Sequence, residues 1–378
     1  MIKPIRILHV VAKMDRGGTE SMLMNLYRAI DRERIQFDFA VTADKECAYD
    51  EEILSLGGRI IRYPRYRVYN HISYSIWWNR FFANNTEYKV VHGHIGSTAS
   101  IYLSIAKRHN CYTIAHSHSV GELKSLHDYI YKVYSYSTRF IADYFIGCSK
   151  KALISRYGQK VYNNTDISMI LKNSIDTKKY RYSPELCAQV KQELGIEDYE
   201  FIIGTVGRFT EAKNTFFIVD IIHDLKKTGV KFKFVWAGDG ELKNKVEQYI
   251  KEKELQNDII LLGIRNDINR VIQVFNAFIL PSKFEGLPMV GVEAQAAGIP
   301  LLCSDQVTKE IQLSDCVKFL PITDTECWVK ALLEEQSFRR VNDAIDCVVG
   351  KGYDVSEESL KLTRFYEQRY LAAVGDDK

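Results

Sequence analysis

Twelve short apolar runs recur along this chain, each followed by a stretch of helical periodicity, and they fall into two series. The first is IRILHVV (5–11), FDFAVT (37–42), GRIIRY (58–63), KVVHGH (89–94), YTIAHSH (112–118), YFIGCS (144–149) and ISMILKN (167–173). The second is EFIIGTVG (200–207), KFKFVWAG (231–238), DIILLG (258–263), AFILPS (277–282) and IPLLCS (299–304). Strands that alternate with helices predict an α/β architecture of parallel sheets, so two series predict two doubly wound domains. Between them lies the polar segment NSIDTKKYRYSP (173–184), ending at Pro184 and followed by the helix-like ELCAQVKQELG, which marks the boundary.

Composition supports that division. At 378 residues the chain exceeds the size at which one hydrophobic core usually keeps growing. A cleft between two domains is then the default ligand site. No run of eighteen apolar residues is present to span a bilayer, and MIKPIRILHVVA lacks the long apolar core and cleavage site of a secretion signal, so a cytoplasmic protein is expected. The eight cysteines are scattered without a CxxC pair, which disfavours a zinc site or disulfide framework and predicts mostly buried, reduced thiols. The net charge of +3 is uneven: residues 1–180 carry 26 Lys and Arg against 16 Asp and Glu, and the remainder carry 25 against 32. A basic first half suits an anionic partner, such as a membrane surface or a phosphorylated acceptor; an ordinary solvated surface is the alternative.

In open α/β sheets ligands bind beyond the carboxyl ends of the strands, so the residues just after each strand are the candidates. Gly17 and Gly18, in KMDRGGTES, precede a helical pattern and suit an anion at a helix N-terminus, or a plain tight turn. Arg208 and Lys213, in GRFTEAKN, can clamp a diphosphate with a planar fork and a point charge, or can be surface charges. In KFEGLPMVGVEAQAAGIP, Glu285 lies in a loop turned at Gly286. Pro288 suits the first helical position, the amides of Met289 and Val290 face an incoming anion, and Glu293 sits one to two turns inside the helix. His116 and His118 follow the strand YTIAHSH, and His94 follows the one before. Alternate strand positions pointing to opposite faces argue against a shared metal and favour hydrogen bonding near substrate, with satisfied structural histidines as the other reading. In the last stretch, YDVSEESLKLTRFYEQRYLAAV, Ser356 is the expected N-cap of a helix with one apolar face.

GGTE after the first strand, IAHSH, GRFTEAKN, AGDGEL, LLGIRNDI and LPSKFEGLPMVGVEAQAAGIP together resemble glycosyltransferase family 4, the retaining nucleotide-sugar transferases of the GT-B fold, most closely the bacterial exopolysaccharide, capsule and O-antigen type. The resemblance runs from Ile5 to the final helix and is most specific in the second half. It implies two Rossmann-like domains facing across a cleft. Residues 1–174 form the acceptor side, joined by a returning helix (355–378), and residues 175–354 form the donor side. It assigns Arg208 and Lys213 to the donor diphosphate, Glu285 to the donor sugar, Glu293 to the ribose, and Arg265 with Ile264 to the nucleobase surroundings. Gly17 and Gly18 match the loop over the diphosphate from the other domain, His116 matches the active-site histidine, and His118 is a weaker candidate. Asn214 departs from the glycine often found there.

The implied reaction builds positive charge on the sugar and negative charge on the leaving diphosphate. No convincing DxD motif for a metal is present, DTE (324–326) being the nearest, so Arg208, Lys213 and a helix N-terminus are expected to take the place of a cation. No cofactor is expected beyond the donor, a UDP-sugar or similar nucleotide sugar. Residues 59–82 mix arginines with aromatics, which suits a membrane interface and a lipid-linked, polyprenyl-pyrophosphate acceptor, or equally a packed aromatic helix. Two other functions share the fold: a non-catalytic nucleotide-sugar-binding regulator of polysaccharide assembly, and an epimerase or phosphorylase.

Overall fold

The computed structural model describes residues 3–118, 136–337, 340 and 344–375. It divides into two compact units, one running to Ser174 and resuming at Val355, the other spanning Ile175–Asp354. Each is an open parallel sheet.

In the first unit the strands are β1 (Ile5–Val10), β2 (Ile35–Val41), β3 (Ile60–Arg62), β4 (Val90–Gly93), β5 (Tyr112–Ser117), β6 (Tyr144–Gly147) and β7 (Ser168–Ile170), in the order β3-β2-β1-β4-β5-β6-β7. In the second they are β8 (Ile202–Val206), β9 (Lys233–Ala237), β10 (Ile259–Gly263), β11 (Ala277–Leu280), β12 (Leu301–Ser304) and β13 (Val317–Leu320), in the order β10-β9-β8-β11-β12-β13. Both orders reverse direction once, between β1 and β4 and between β8 and β11, and such switch points are where doubly wound sheets hold ligands. All twelve expected strands form. The one not anticipated, β13, is an edge strand of four residues, split by Lys318 and only partly buried.

The first unit buries both faces of its sheet. On one face Ile7, Phe37, Phe39 and Ile114 pack against Met22, Leu23 and Leu26 of the helix Gly18–Ala29 and against Leu362, Phe365 and Tyr366 of the final helix, Val355–Gly375. That helix begins at Val355, so Ser356 is its second residue rather than its N-cap. On the other face Tyr74, Trp78 and Phe82 of the helix His71–Asn84 line up at i, i+4 and i+8 and are buried with Leu8, Val10 and Val91. The aromatic segment 59–82 thus has two sides. Tyr63, Tyr74, Trp78 and Phe82 join the core, while Val68, Tyr69, Ile72 and Ile76 are exposed, as are Arg65, Arg67 and Arg80.

A buried carboxylate ties the start of this sheet together. Asp38 on β2 is fully buried and accepts from Arg6 Nε (2.6 Å) and Nη2 (2.5 Å), Tyr88 Oη (2.8 Å) and the Arg59 amide (2.7 Å). These hydrogen bonds hold the guanidinium of Arg6 above its ordinary pKa and satisfy the acid on all sides. The eight cysteines are free thiols, but only Cys111 and Cys303 are buried; the others lie in partly exposed loops and helices, where a small thiol costs little. No helix among the described residues is long and apolar enough to cross a membrane.

Candidate active site

Three glycines bring the carboxyl ends of β8, β9 and β10 close together. The Gly207 amide donates to the Ala237 carbonyl (3.0 Å) and the Gly238 amide to the Gly263 carbonyl (2.8 Å). Gly238 has φ +151°, and a Cβ there would meet the Gly207 carbonyl oxygen at 2.0 Å, so only glycine fits. The loop after β8 then turns through Asn214, which adopts the left-handed conformation (φ 56°, ψ 47°) and leads into the helix Thr215–Lys227. This explains the departure noted in the sequence: the position needs positive φ, and asparagine is the side chain that tolerates it best after glycine.

Within this loop Lys213 folds back beside Gly207, with its Cε 3.4 Å from where a Cβ would sit. Its ammonium pairs with Glu285, the acid that follows β11. Ser282 Oγ donates to the same carboxylate oxygen of Glu285 (2.9 Å), and the Lys283 amide donates to the Ala212 carbonyl (2.9 Å), which ties the two loops together. The sequence placed Lys213 and Glu285 in separate motifs; the switch point between β8 and β11 brings them into contact. Arg208 is exposed and has no ion-pair partner among the described residues. Gly286 does not have a positive φ, and nothing lies within 4 Å of its would-be Cβ, so the turn does not require glycine there.

Past Glu285 the helix runs Met289–Ala296. Pro288 is its N-cap (φ −74°, ψ 111°), one residue ahead of the position expected, and supplies no side-chain hydrogen bond. The amides of Met289 and Val290 are therefore first-turn donors without intrahelical partners. Glu293, one turn on, is mostly enclosed, and desolvation pushes its carboxyl up to about 7 against a hydrogen bond from Tyr180 that lowers it. Tyr180 ends the short turn Thr177–Tyr180, 113 residues earlier in the sequence, and no motif marked it. Arg265, after β10, forms a bidentate pair with Asp267 (2.8 and 2.6 Å), and its neighbour Ile264 is exposed. In DTE, Asp324 accepts from the amides of Glu326 (3.1 Å) and Cys327 (3.4 Å), and so caps the helix Glu326–Glu335.

In the first unit Gly17 is the extended N-cap (φ −118°, ψ 170°) of the helix Gly18–Ala29 and makes no side-chain capping bond. Neither glycine has positive φ, so space rather than backbone conformation distinguishes them: a Cβ on Gly17 would meet the Glu20 carboxylate at 2.3 Å, and one on Gly18 would meet nothing within 4 Å.

The histidines correct the expectation that alternate positions would separate them. Residues two apart share a face of a strand, and His9 of β1, His92 and His94 at the end of β4, and His116 and His118 at the end of β5 form one cluster. His92 Nε2 lies 3.2 Å from His116 Nδ1, and His92 Nδ1 lies 2.7 Å from Tyr366 Oη. His94 Nε2 lies 3.0 Å from His9 Nδ1, and His94 Nδ1 lies 2.8 Å from His118 Nε2. Rings stack between the two rows, with centroids 4.3 Å apart for His92 and His94 and 4.0 Å apart for His116 and His118. Burial pushes His92 and His116 well below the ordinary imidazole value and His9 to about 3, so these rings are neutral at pH 7. Two trios, His9 with His92 and His94, and His94 with His116 and His118, have ring nitrogens within 4.8 Å of one another and could hold a metal ion. Six ring nitrogens of these five histidines are already engaged with one another, in three pairs.

Two family models match the chain: Glycosyltransferase Family 4 over residues 16–166 and Glycosyl transferases group 1 over residues 188–311. The putative glycosyltransferase EpsF of Bacillus subtilis is 34% identical over 315 residues, which is 81% of this chain and 80% of that protein. The UDP-Gal:alpha-D-GlcNAc-diphosphoundecaprenol alpha-1,3-galactosyltransferase of Escherichia coli is 31% identical over 36% of each chain. Among solved structures, Anabaena Alr3699/HepE in complex with UDP superposes with a TM-score of 0.78 over 96% of this chain and 100% of that one, at 15% identity, a likeness of fold.

Proposed function

The chain belongs to the family 4, group 1 glycosyltransferases and has their GT-B fold, and from that premise we propose that it moves a sugar from a UDP-sugar to a glycan carried on a lipid diphosphate, with retention and without a metal ion, in surface polysaccharide assembly. The observation that carries this reading is the Lys213–Glu285 pair at the β8/β11 switch point, which sets a cation and a hydroxyl-binding carboxylate side by side. A nucleoside diphosphate sugar presents the matching pair of groups, a diphosphate next to a polyol.

In the reaction the bond from the anomeric carbon to the diphosphate oxygen breaks, that oxygen leaves with the electron pair, and the acceptor hydroxyl bonds to the same carbon and gives up its proton to the leaving diphosphate. Arg208, Lys213 and the amides of Met289 and Val290 stabilise the leaving diphosphate, each charge-assisted contact contributing about 1.5–3 kcal/mol. These groups are the reason no metal is invoked. Glu285 holds hydroxyls of the donor sugar, Glu293 the ribose, and Arg265 with Ile264 lies along the base. Gly17 and Gly18 serve the diphosphate, open space at Gly18 leaving room for it, and His116, with His118 beside it, hydrogen-bonds near the reacting carbon. The E. coli relative's name gives a UDP-sugar donor and an undecaprenol-linked acceptor, and HepE holds UDP, which supports the same chemistry here.

Glu293 makes donor binding depend on pH. A carboxylate that accepts from two ribose hydroxyls must be ionised, and with its carboxyl at about 7 in the free protein it releases a proton on binding. UDP affinity measured by calorimetry should therefore fall by up to about tenfold per pH unit below 7 and level off above it. Glu293→Gln should weaken binding and flatten the profile. A profile already flat in the parent protein, or the absence of any thermal stabilisation by nucleotide sugars, would sink the reading.

The acceptor side rests on the exposed apolar stripe of Val68, Tyr69, Ile72 and Ile76 and on Arg65, Arg67 and Arg80. This pairing of apolar and cationic side chains suits a protein held peripherally on the inner, anionic face of the cytoplasmic membrane. Arg62 is a poor probe, because it pairs with Asp50 (3.4 Å) and donates to the Ala43 carbonyl. Reversing Arg65 and Arg67 to Glu should release the protein from phosphatidylglycerol vesicles; retained binding would remove this surface from the model.

A further inference from the structure

The cluster in the first unit contains two imidazole rows, and they differ in one respect. The His9–His94–His118 row ends in ring nitrogens at both sides, with His9 Nε2 and His118 Nδ1 buried and unpartnered among the described residues. The other row begins at a hydroxyl: Tyr366 Oη, then His92, then His116, whose Nε2 is buried and unpartnered among the described residues.

That hydroxyl decides where the protons are. Tyr366 is fully buried, and its O–H has one acceptor among the described residues, His92 Nδ1. If it donates there, neutral His92 carries its proton on Nε2 and donates it to His116 Nδ1, and neutral His116 must carry its own proton on Nε2. The row then leaves a single group unsatisfied, the Nε2–H of His116. In the opposite direction His116 donates to His92 and His92 donates to the tyrosine oxygen. This strands a buried O–H at one end and a bare nitrogen at the other, and leaving a buried polar group unmade is costly. Burial keeps both rings neutral, so neither escapes the choice by taking a second proton.

We propose that Tyr366, acting through His92, locks His116 as the Nε2–H tautomer, so that His116 meets the substrate as a hydrogen-bond donor to an oxygen of the sugar or diphosphate and not as a base. This rests on the placement of His116 at the reaction made above. Tyr366 and His92 are positioning residues; His116 is the catalytic residue. The His94–His118 row has no hydroxyl to orient it and keeps both tautomers, which separates the roles of two histidines only two residues apart.

The test is long-range 15N–1H correlation on the full-length protein labelled at histidine, with resonances assigned from His116→Gln and His118→Gln. The parent protein should show His116 protonated at Nε2 and His118 in exchange between forms. Tyr366→Phe, which removes only the hydroxyl, should move His116 to a tautomer mixture and lower kcat by about tenfold with little change in KM. Parent His116 found protonated at Nδ1, or a His116 spectrum unchanged in Tyr366→Phe, overturns the lock. A shifted tautomer with unchanged kcat keeps the lock and overturns the role of His116 in the reaction, a failure separate from that of UDP binding. One equivalent of Co2+ that produces a visible d–d band and broadens these resonances would also overturn it, because a metal on these nitrogens would replace the proton the lock depends on.

Discussion

Lys213→Ala should lower turnover by about two to three orders of magnitude while the protein stays folded, because on the proposed reaction it would take a fixed positive charge away from the leaving diphosphate. The ion pair adds a second consequence. With the ammonium gone, the Glu285 carboxylate keeps only the hydroxyl of Ser282 among the described residues and is left to repel the incoming diphosphate. Glu285→Gln removes that repulsion but gives up the strongest acceptor for the sugar hydroxyls, and it should cost turnover to a similar degree. Because the two residues act as a unit, the double variant should lose less than the two single losses multiplied together. Initial rates of UDP release with a saccharide acceptor, compared across the four proteins, check both statements. Undiminished turnover in either single variant would remove that residue from the site.

Asp38→Ala should produce the largest loss of stability. Its fully buried carboxylate joins Arg6 of β1, the Arg59 amide ahead of β3 and Tyr88 ahead of β4. Removing it leaves Arg6 Nε, the Tyr88 hydroxyl and the Arg59 amide without this acceptor and Arg6 Nη2 with only the Gly57 carbonyl (3.1 Å), and breaking one partner of a buried pair typically costs about 3–5 kcal/mol. Differential scanning calorimetry with and without UDP separates the units: the transition of the first should fall well below that of the parent, while UDP binding by the second is retained. A midpoint within a degree or two of the parent would show that the sheet closes without this carboxylate.

The strands were legible because a strand buried on both faces is rich in apolar residues: β11 is a continuous apolar run, and β1, β4 and β8 are broken only by Arg6, His9, His92, Thr205 and two glycines. β13 was not, because an edge strand carrying Lys318 has no such signature. Candidate residues that follow strands could be picked out, since the carboxyl ends of a parallel sheet converge whatever the side chains are. Which of them meet could not, because contact depends on strand order. Lys213 and Glu285 are 72 residues apart and touch only because β8 and β11 are neighbours. The histidines show the same limit from the other side: spacing by two put each pair on one face, but joining the pairs needed β1, β4 and β5 side by side, with His9 opposite His92 in register. Tyr366 and Tyr180 carry no motif and come from distant segments, so their hydrogen bonds appear only in three dimensions.

The return of the helix Val355–Gly375 to the first unit sets an order of assembly during synthesis. The second unit is one uninterrupted segment, Ile175–Asp354, and all of its core is available once that segment has left the ribosome. The first unit is made earlier but waits for Leu362, Phe365 and Tyr366 to cover its sheet, an interval of roughly 10–40 s at elongation rates of about 5–20 residues per second. During that interval an apolar sheet face is open to chaperones. A chain released before Tyr366 is translated could still close the core of the second unit, but its histidine row would lack the Tyr366 hydroxyl, so that completion of that row waits for translation of the final helix.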